Sequence, residues 1–183
     1  VILDAHNSEL KGEFIPYIEK ELFEKLSFSS SVETADKLGE LGYGVQVNPR
    51  EINMFYLNDG LRERIVEQEE TFAVHDTKIS WTKEEMQKEI TNHPERFSPN
   101  VMLRPLFQEV ILPNLCYIGG GGELAYWFEL KDMFEAFEVP FPILLLRNSA
   151  LIETKKQNEK RKKLKISQEE LFLKQHELIN RKV

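Results

Sequence analysis

Four consecutive glycines, Gly119 to Gly122, separate an apolar segment from a helical one, and Glu123 follows them directly. The first N–H groups of a helix have no partner inside the helix, so a glycine turn at this point can bind an anion or a carbonyl oxygen. A carboxylate at Glu123 can hold a substrate ammonium group or accept a proton from an attacking amine. The structural alternative is a tight turn with close helix–strand packing, in which the helix dipole stabilises Glu123.

Two arginines are candidates for binding an acidic group near this turn. Arg147 ends the apolar segment that follows the helix, and Arg104 lies within residues 98–106. A guanidinium group forms paired hydrogen bonds with a carboxylate or phosphate, although either arginine can instead belong to a structural ion pair. Glu123 and Arg147 are therefore the predicted catalytic residues. The predicted substrate contacts are Asn100, Arg104, Gly119, Gly120, Gly121, Gly122, Tyr126, Trp127, Asn148 and Ser149, with one of the two aromatic residues lining the pocket and the other in the core.

The composition argues against several other classes of protein. The net charge of −7 is unfavourable for a protein that binds nucleic acid through its phosphates. Apolar runs such as Phe141 to Leu146 are too short to cross a bilayer, and no signal sequence opens the chain. The single cysteine, Cys116, fits a reducing compartment, and its apolar neighbours favour a buried structural thiol over a nucleophile. We expect a soluble cytoplasmic protein that binds neither nucleic acid nor a membrane.

Metal and nucleotide motifs are not visible in the sequence. The four histidines have no paired spacing and no cysteine lies near them, so we expect no zinc site. The chain has no P-loop, nucleophile elbow or kinase motif. ATP or another nucleotide therefore stays open as a cofactor.

The glycine turn needs a strand before it and a second strand after its helix. The sequence predicts a strand over Asn114 to Ile118, a helix from Glu123 to about Phe137 and a second strand over Pro140 to Leu146. Continuous apolar runs are typical of parallel strands that are buried on both faces. We therefore predict a βαβ unit of a partial Rossmann-like parallel sheet, with the glycine turn at the carboxyl ends of its strands.

The preceding residues alternate helical and β-type patterns. The predicted elements are a strand over 1–4, helices over 8–26 and 31–41, strands over 43–47 and 52–57, a segment over 61–70 that fits either type, a β segment over 71–81, a helix over 83–93 and a helix that Asn100 caps and that ends before Pro113. Within this set, residues 43–93 are predicted to form an inserted connecting segment that contains a β-hairpin.

The last 34 residues have a different character. Two charged helical segments are predicted, from Ala150 to Ile166 and from Ser167 to Val183, with few apolar positions. Seven basic and two acidic residues lie within 153–165, so this part is either a solvated helix face or an anion-binding patch. The pattern favours a coiled-coil arm, which gives a division into a partial Rossmann-like core, 1–149, and an arm, 150–183. Because the chain opens inside an apolar run and closes inside a charged helix, we expect a fragment of a longer protein.

Three segments resemble signature blocks of the bacillithiol biosynthesis cysteine-adding enzymes. They are FSPNVMLRPL at 97–106, YIGGGGELAYW at 117–127 and PFPILLLRNS at 140–149. The resemblance spans nearly the whole chain, and the chain covers only a middle part of a family member. It implies a Rossmann-like ligase that joins cysteine to glucosaminyl malate, with a coiled coil that supports a homodimer. The fragment alone is expected to be inactive.

The resemblance suggests a chemical role for each candidate. Arg104 or Arg147 would bind the malate or cysteine carboxylate, the amides of Gly119 to Gly122 would stabilise developing negative charge, and Glu123 would orient an amine. Two other interpretations stay open. The chain can be a non-catalytic assembly or binding module whose coiled coil is the functional part, or another Rossmann-type nucleotidyltransferase.

Overall fold

The computed structural model describes residues 2–182, except for the side chain of Lys182. The chain divides into two compact units, Val1–Arg147 and Asn148–Val183. The larger unit contains seven α-helices and seven strands among its described residues. Its helices are α1 (Ser8–Gly12), α2 (Ile15–Glu24), α3 (Leu26–Glu40), α4 (Lys83–Asn92), α5 (Arg104–Ile111), α6 (Gly121–Glu129) and α7 (Lys131–Ala136). Its strands are β1 (Met54–Asn58), β2 (Leu61–Gln68), β3 (Thr71–Val74), β4 (Ser80–Trp81), β5 (Phe97–Pro99), β6 (Cys116–Gly119) and β7 (Ile143–Leu146).

Five of the strands form an antiparallel sheet in the order β4-β3-β2-β1-β5. The β1–β2 turn contains Gly60, whose φ of 71° is a left-handed conformation that glycine adopts without strain. Side chains alternate between the two faces of β1, and Met54 and Tyr56 point into the core together with Ile65 of β2. The segment over 61–70 is thus a strand. The predicted hairpin is larger than expected, because β3, β4 and β5 extend it.

The strands β6 and β7 form the predicted parallel pair, with Cys116 opposite Ile143 and Gly119 opposite Leu146. The helices α6 and α7 connect them, so the Rossmann-like βαβ unit is confirmed. The expected burial on both faces is wrong. Tyr117 and Leu144 pack against the core, whereas Ile118 and Leu145 on the opposite face are exposed. The reason is that the described helices cover one face of this pair, and Cys116 is accordingly only half-buried.

The first 50 residues differ most from the sequence-based expectation. Residues 2–4 form no strand, and Val1 lies outside the described residues. The helix predicted over 8–26 is divided, because Pro16 at the start of α2 lacks the N–H group that a continuous helix would need. Asn7, and not Ser8, caps α1. The second helix begins at Leu26 instead of Ser31, after Lys25 in a left-handed conformation.

Other predicted features of the larger unit are confirmed or shifted. Gly42 has the predicted left-handed conformation after α3, with a φ of 82°. The capping box of α4 is present, with Thr82 and Glu85 each accepting the other's backbone N–H. The expected strand over 43–47 is absent. The predicted helix over 123–137 is divided at Leu130.

The core of the larger unit is one continuous cluster of apolar side chains. It joins the inner face of the antiparallel sheet to the helices around it, including α2, α4, α5, α6 and α7. Phe14, Phe97, Trp127 and Phe134 are among its largest fully buried members. The parallel pair therefore shares its core with the antiparallel sheet, which fixes α6 and the glycine turn at its start.

The smaller unit contains α8 (Lys155–Lys163), a 3₁₀ turn at Glu169–Phe172 and α9 (Gln175–Lys182). The prediction of two long helices for a coiled-coil arm is therefore wrong, because both helices are shorter than expected. Lys165, with a φ of 54°, ends the first one, and the capping residues Ser167 and Glu170 begin only a 3₁₀ turn. Dimerisation through this part of the chain stays a prediction. None of the described helices is long and apolar enough to span a bilayer.

One cation is buried inside the larger unit. Lys11 is 2% exposed, and its Nζ donates a hydrogen bond of 2.6 Å to the Phe97 carbonyl oxygen. The same Nζ lies 4.9 Å from the centroid of the Phe107 ring. Burial lowers the pKa of Lys11 from 10.5 to about 8.

This lowered pKa predicts that the larger unit becomes more stable with rising pH between about 8 and 10.5. In that window the unfolded chain keeps the Lys11 proton and the folded chain has lost it, so the unfolding free energy rises with pH. We expect Lys11→Met to remove a rise on the order of 2–3 kcal/mol, measured by urea unfolding at a series of pH values. Identical pH dependence in the two proteins would contradict this account of Lys11.

Candidate active site

The glycine turn lies at the carboxyl ends of both parallel strands. Gly119 is the last residue of β6, and α6 begins at Gly121 after Gly120 in an extended conformation. The Arg147 N–H group donates a 2.9 Å hydrogen bond to the Gly119 carbonyl oxygen, so Arg147 continues the ladder directly after β7. The turn and the predicted arginine are therefore adjacent, at the sheet edge where open α/β sheets bind ligands.

The Glu123 carboxylate accepts hydrogen bonds from two groups of this turn. The Gly120 N–H donates to it at 2.8 Å and the Tyr117 hydroxyl donates at 3.2 Å. The Gly120 N–H bond is the main cause that lowers the pKa of Glu123, followed by the Tyr117 hydroxyl and by the positive charges of Arg147 and Arg104. Glu123 is therefore an anion near neutral pH and a weaker base than an ordinary glutamate.

Both candidate arginines act on this carboxylate. Arg147 Nη1 lies 4.0 Å from Glu123 Oε2, and both side chains are more than half exposed. A Cβ atom on Gly120 would lie 3.1 Å from Arg147 Nη2, so the absence of a side chain lets the guanidinium lie against the turn. Arg104 donates to Gln108 Oε1 at 3.0 Å, and its charge favours the ionised form of Glu123. The structure thus brings together Glu123, Arg147 and the glycine turn, whereas Arg104 acts on Glu123 only through its charge.

An apolar cleft of about 550 Å³ opens beside the turn. Gly121, Leu124 and Phe128 of α6 line one side, and Leu146 at the end of β7 contributes to it. The opposite side is the segment 43–46. A Cβ atom on Gly121 or Gly122 would meet no atom within 4 Å, so the first turn of α6 is open.

A buried carboxylate that the sequence analysis missed fixes one side of this cleft. Glu129 is 3% exposed, and it accepts the N–H groups of Gln46 at 2.5 Å and Val47 at 3.1 Å. These bonds explain why the segment 43–47 forms no strand, since the N–H groups of Gln46 and Val47 bond to a side chain of α6 instead of to a neighbouring strand. The signal in the sequence is a glutamate inside an otherwise apolar helical stretch.

Trp127 does not line the cleft, which corrects its prediction as a substrate contact. It is fully buried, and its ring stacks on Tyr117 with 4.2 Å between centroids. Because the Tyr117 hydroxyl bonds Glu123, the Trp127 ring supports the carboxylate from within the core. The Tyr126 hydroxyl donates to the Val101 carbonyl oxygen, and burial raises the Tyr126 pKa. A substrate contact by Tyr126 stays a prediction.

Asn100 shapes a turn with all of its polar side-chain atoms. Its Oδ1 accepts the Met102 N–H at 2.8 Å, and its Nδ2 donates to Asn53 Oδ1 at 2.8 Å. It therefore precedes α5 as a turn residue, and α5 itself begins at Arg104. Its contact with substrate stays a prediction.

Asn148 and Ser149 belong to the smaller unit and are exposed, and their role stays a prediction. Within residues 2–182, no group of three histidine, cysteine or acidic side chains is arranged to hold a metal ion.

Comparisons with known proteins give one consistent family. Residues 1–148 match the model of the bacillithiol biosynthesis BshC N-terminal Rossmann-like domain. The protein named "Putative cysteine ligase BshC" of Christiangramia forsetii is 65% identical over all 183 residues, which cover 34% of that relative. The relatives of the same name in Flavobacterium johnsoniae and Shouchella clausii are 54% identical over 98% of this chain and 36% identical over 82% of it. The chain covers 34% of the Flavobacterium protein and the match covers 28% of the Shouchella protein, so it spans about a third of its relatives' length.

Substitution of two glycines of the turn by alanine should change the unfolding free energy by different amounts. A Cβ atom on Gly119 would lie 2.8 Å from the Tyr117 ring, which the Trp127 stack holds in place, whereas Gly122 has open space. We expect Gly119→Ala to lower the unfolding free energy by about 1–3 kcal/mol through overpacking. Gly122→Ala is the matched control and should change it by less than about 1 kcal/mol. Equal effects of the two substitutions in thermal unfolding would contradict the described packing.

Proposed function

Because this chain belongs to the bacillithiol biosynthesis BshC family, we propose that it is part of a ligase that joins the cysteine carboxyl group to the amine of glucosaminyl malate. The observation that carries the proposal is the placement of Glu123, Arg147 and the glycine turn at one sheet edge. Of this turn, Gly121 also lines the apolar cleft. The relatives' printed name, a cysteine ligase, supports the same reaction class.

The lowered pKa of Glu123 supports one of its two candidate roles. A carboxylate that stays ionised attracts an ammonium group, and it can orient the amine that forms when this group loses a proton. The same carboxylate is a poor proton acceptor. We assign Glu123 to orienting the amine of glucosaminyl malate. In the reaction the amine nitrogen attacks the activated cysteine carbonyl and a C–N bond forms. The bond from that carbon to the leaving group breaks, the leaving group departs with the electron pair, and the amine proton passes to solvent water.

Arg147 and Arg104 supply positive charge for the carboxylates of the substrates. Arg147 is 67% exposed in its side chain, and its only described ion pair is the 4.0 Å contact with Glu123, so its donors are accessible to a ligand. Arg104 is also exposed at the start of α5. A malate carboxylate on Arg147 would hold the glucosamine amine close to Glu123, which raises the rate by fixing the reacting groups in place.

The first turn of α6 is placed to stabilise the negative charge that develops on the carbonyl oxygen of cysteine. When the amine attacks, negative charge develops on the carbonyl oxygen, and the free N–H groups at a helix start can stabilise it. Gly121 and Gly122 have open space around them, so a carbonyl group can approach this backbone closely. Activation of the cysteine carboxyl is a separate requirement, which ATP or another nucleotide can supply.

The cellular setting follows from the same proposal. We place the reaction in the cytoplasm, where a lone half-buried thiol such as Cys116 stays reduced. We also propose that the whole protein is a homodimer. Its dimer contacts would include residues after 150, as the family resemblance implies.

The proposal predicts a large loss of ligation in two single variants of the full-length protein. Glu123→Gln removes the charge that attracts the amine, and Arg147→Ala removes the carboxylate partner. We expect each to lower product formation by about 100-fold or more, followed by mass spectrometry of the cysteinyl product.

The matched control is Glu135→Gln, which removes an exposed carboxylate on α7, a helix that does not carry the glycine turn. It should keep the parent rate. Ligation at the parent rate by Glu123→Gln and Arg147→Ala, in folded protein, would rule out the assigned roles.

A further inference from the structure

A second cleft, of about 620 Å³, lies on the antiparallel sheet. Three arginines line it, Arg50, Arg62 and Arg64, together with Phe55 and Asn100. None of these three arginines belongs to the glycine-turn site. An anion is the expected ligand of such a cleft, because guanidinium groups form directional hydrogen bonds with charged oxygens.

The strand register places two of the arginines on one face. Arg62 and Arg64 are alternate residues of β2, so their side chains emerge on the same side of the sheet. Arg64 pairs directly with Phe55 across the β1–β2 ladder. The Arg62 Cζ atom lies 3.9 Å from the centroid of the Phe55 ring, a cation–π contact that holds the guanidinium over the sheet.

The third arginine is fixed by a buried side chain. Asn53 is fully buried, and its amide accepts the Arg50 N–H at 3.3 Å and donates to the Arg50 carbonyl oxygen at 2.7 Å. The same Asn53 Oδ1 accepts the Asn100 amide at 2.8 Å. One buried asparagine therefore fixes the backbone of Arg50 and the side chain of Asn100, which both line the cleft. A site with such fixed parts needs little reorganisation when a ligand binds.

The charges in this cleft are not balanced by the protein. Within the described residues 2–182, no carboxylate lies within ion-pair distance of the Arg50, Arg62 or Arg64 side chain. Glu51 and Glu67, which neighbour these arginines in the chain, pair with Lys25 instead. Glu63 is the only acidic residue among those that line the cleft. Three cations that share one cleft repel one another, and a multivalent anion would remove that repulsion.

We propose that this cleft binds a small anion with two or more linked phosphate groups, either as part of a nucleotide or as free pyrophosphate. A single carboxylate needs one guanidinium fork, whereas three guanidinium groups match the charge and the several oxygens of a diphosphate. The inference stands on the arginine geometry alone and does not depend on the ligation chemistry proposed for the glycine turn.

Calorimetric titration of the full-length protein with pyrophosphate, ATP and malate tests the assignment. Pyrophosphate or ATP should bind, and the double variant Arg62→Gln/Arg64→Gln should weaken that binding by at least about tenfold, because charge-assisted hydrogen bonds are lost. Arg50→Gln should weaken it in the same direction. Tighter binding of ATP than of pyrophosphate would identify the nucleotide as the ligand, and equal binding would identify the free anion.

The control is Lys78→Gln/Lys88→Gln, which removes the same number of charges at exposed positions outside the cleft. It should leave the affinity for pyrophosphate and ATP within about twofold of the parent value, as a purely long-range charge effect would be screened by salt. The proposal is overturned if neither phosphate compound binds, or if the arginine variants of the folded protein bind them as tightly as the parent. It is also overturned if Arg62→Gln/Arg64→Gln weakens malate binding more than it weakens pyrophosphate binding. Loss of ligation in Glu123→Gln with unchanged pyrophosphate binding would separate the two sites.

Discussion

Buried carboxylates that accept backbone N–H groups are the constraint on which the sites of this protein depend. Glu21, Glu109 and Glu129 are at most 3% exposed, and each binds backbone N–H groups of another segment. Glu129 binds those of Gln46 and Val47, and Glu109 binds that of Asn114. Glu21 binds those of Ser27, at the start of α3, and of Asn53, directly before β1. An unpaired buried N–H is costly, so each carboxylate selects one path for its segment. The segment held by Glu129 lines the apolar cleft, the one held by Glu109 precedes β6, and the one held by Glu21 forms one edge of the arginine cleft.

The parts of the fold that follow from local pattern and strand direction could be predicted from the sequence. Two apolar strands with a glycine turn and a helix between them give a parallel pair, and parallel strands bring Gly119 and Arg147 to the same edge. Partnerships between distant residues could not be predicted. Residues 43–47 have the alternation of a strand, but Glu129, more than 80 residues away, accepts the N–H groups of Gln46 and Val47. The sequence also left open whether Tyr126 or Trp127 lies in the core, since the position of a residue in a helix does not show which helix face meets the core.

The segment 100–104 connects the two sites. Asn100 and Val101 line the arginine cleft, while the Val101 carbonyl oxygen accepts the Tyr126 hydroxyl of α6. Arg104, at the end of the segment, contributes positive charge at Glu123. A ligand in the arginine cleft would therefore contact the same short segment that ends at Arg104, whose charge acts on Glu123.

A crystal structure of the full-length protein with glucosaminyl malate bound would show whether the glycine turn binds this substrate. We expect the sugar amine within hydrogen-bond distance of the Glu123 carboxylate and a malate carboxylate on Arg147 or Arg104, at the open first turn of α6. A ligand that occupies another part of the protein, with the glycine turn and both arginines free of it, would contradict the account.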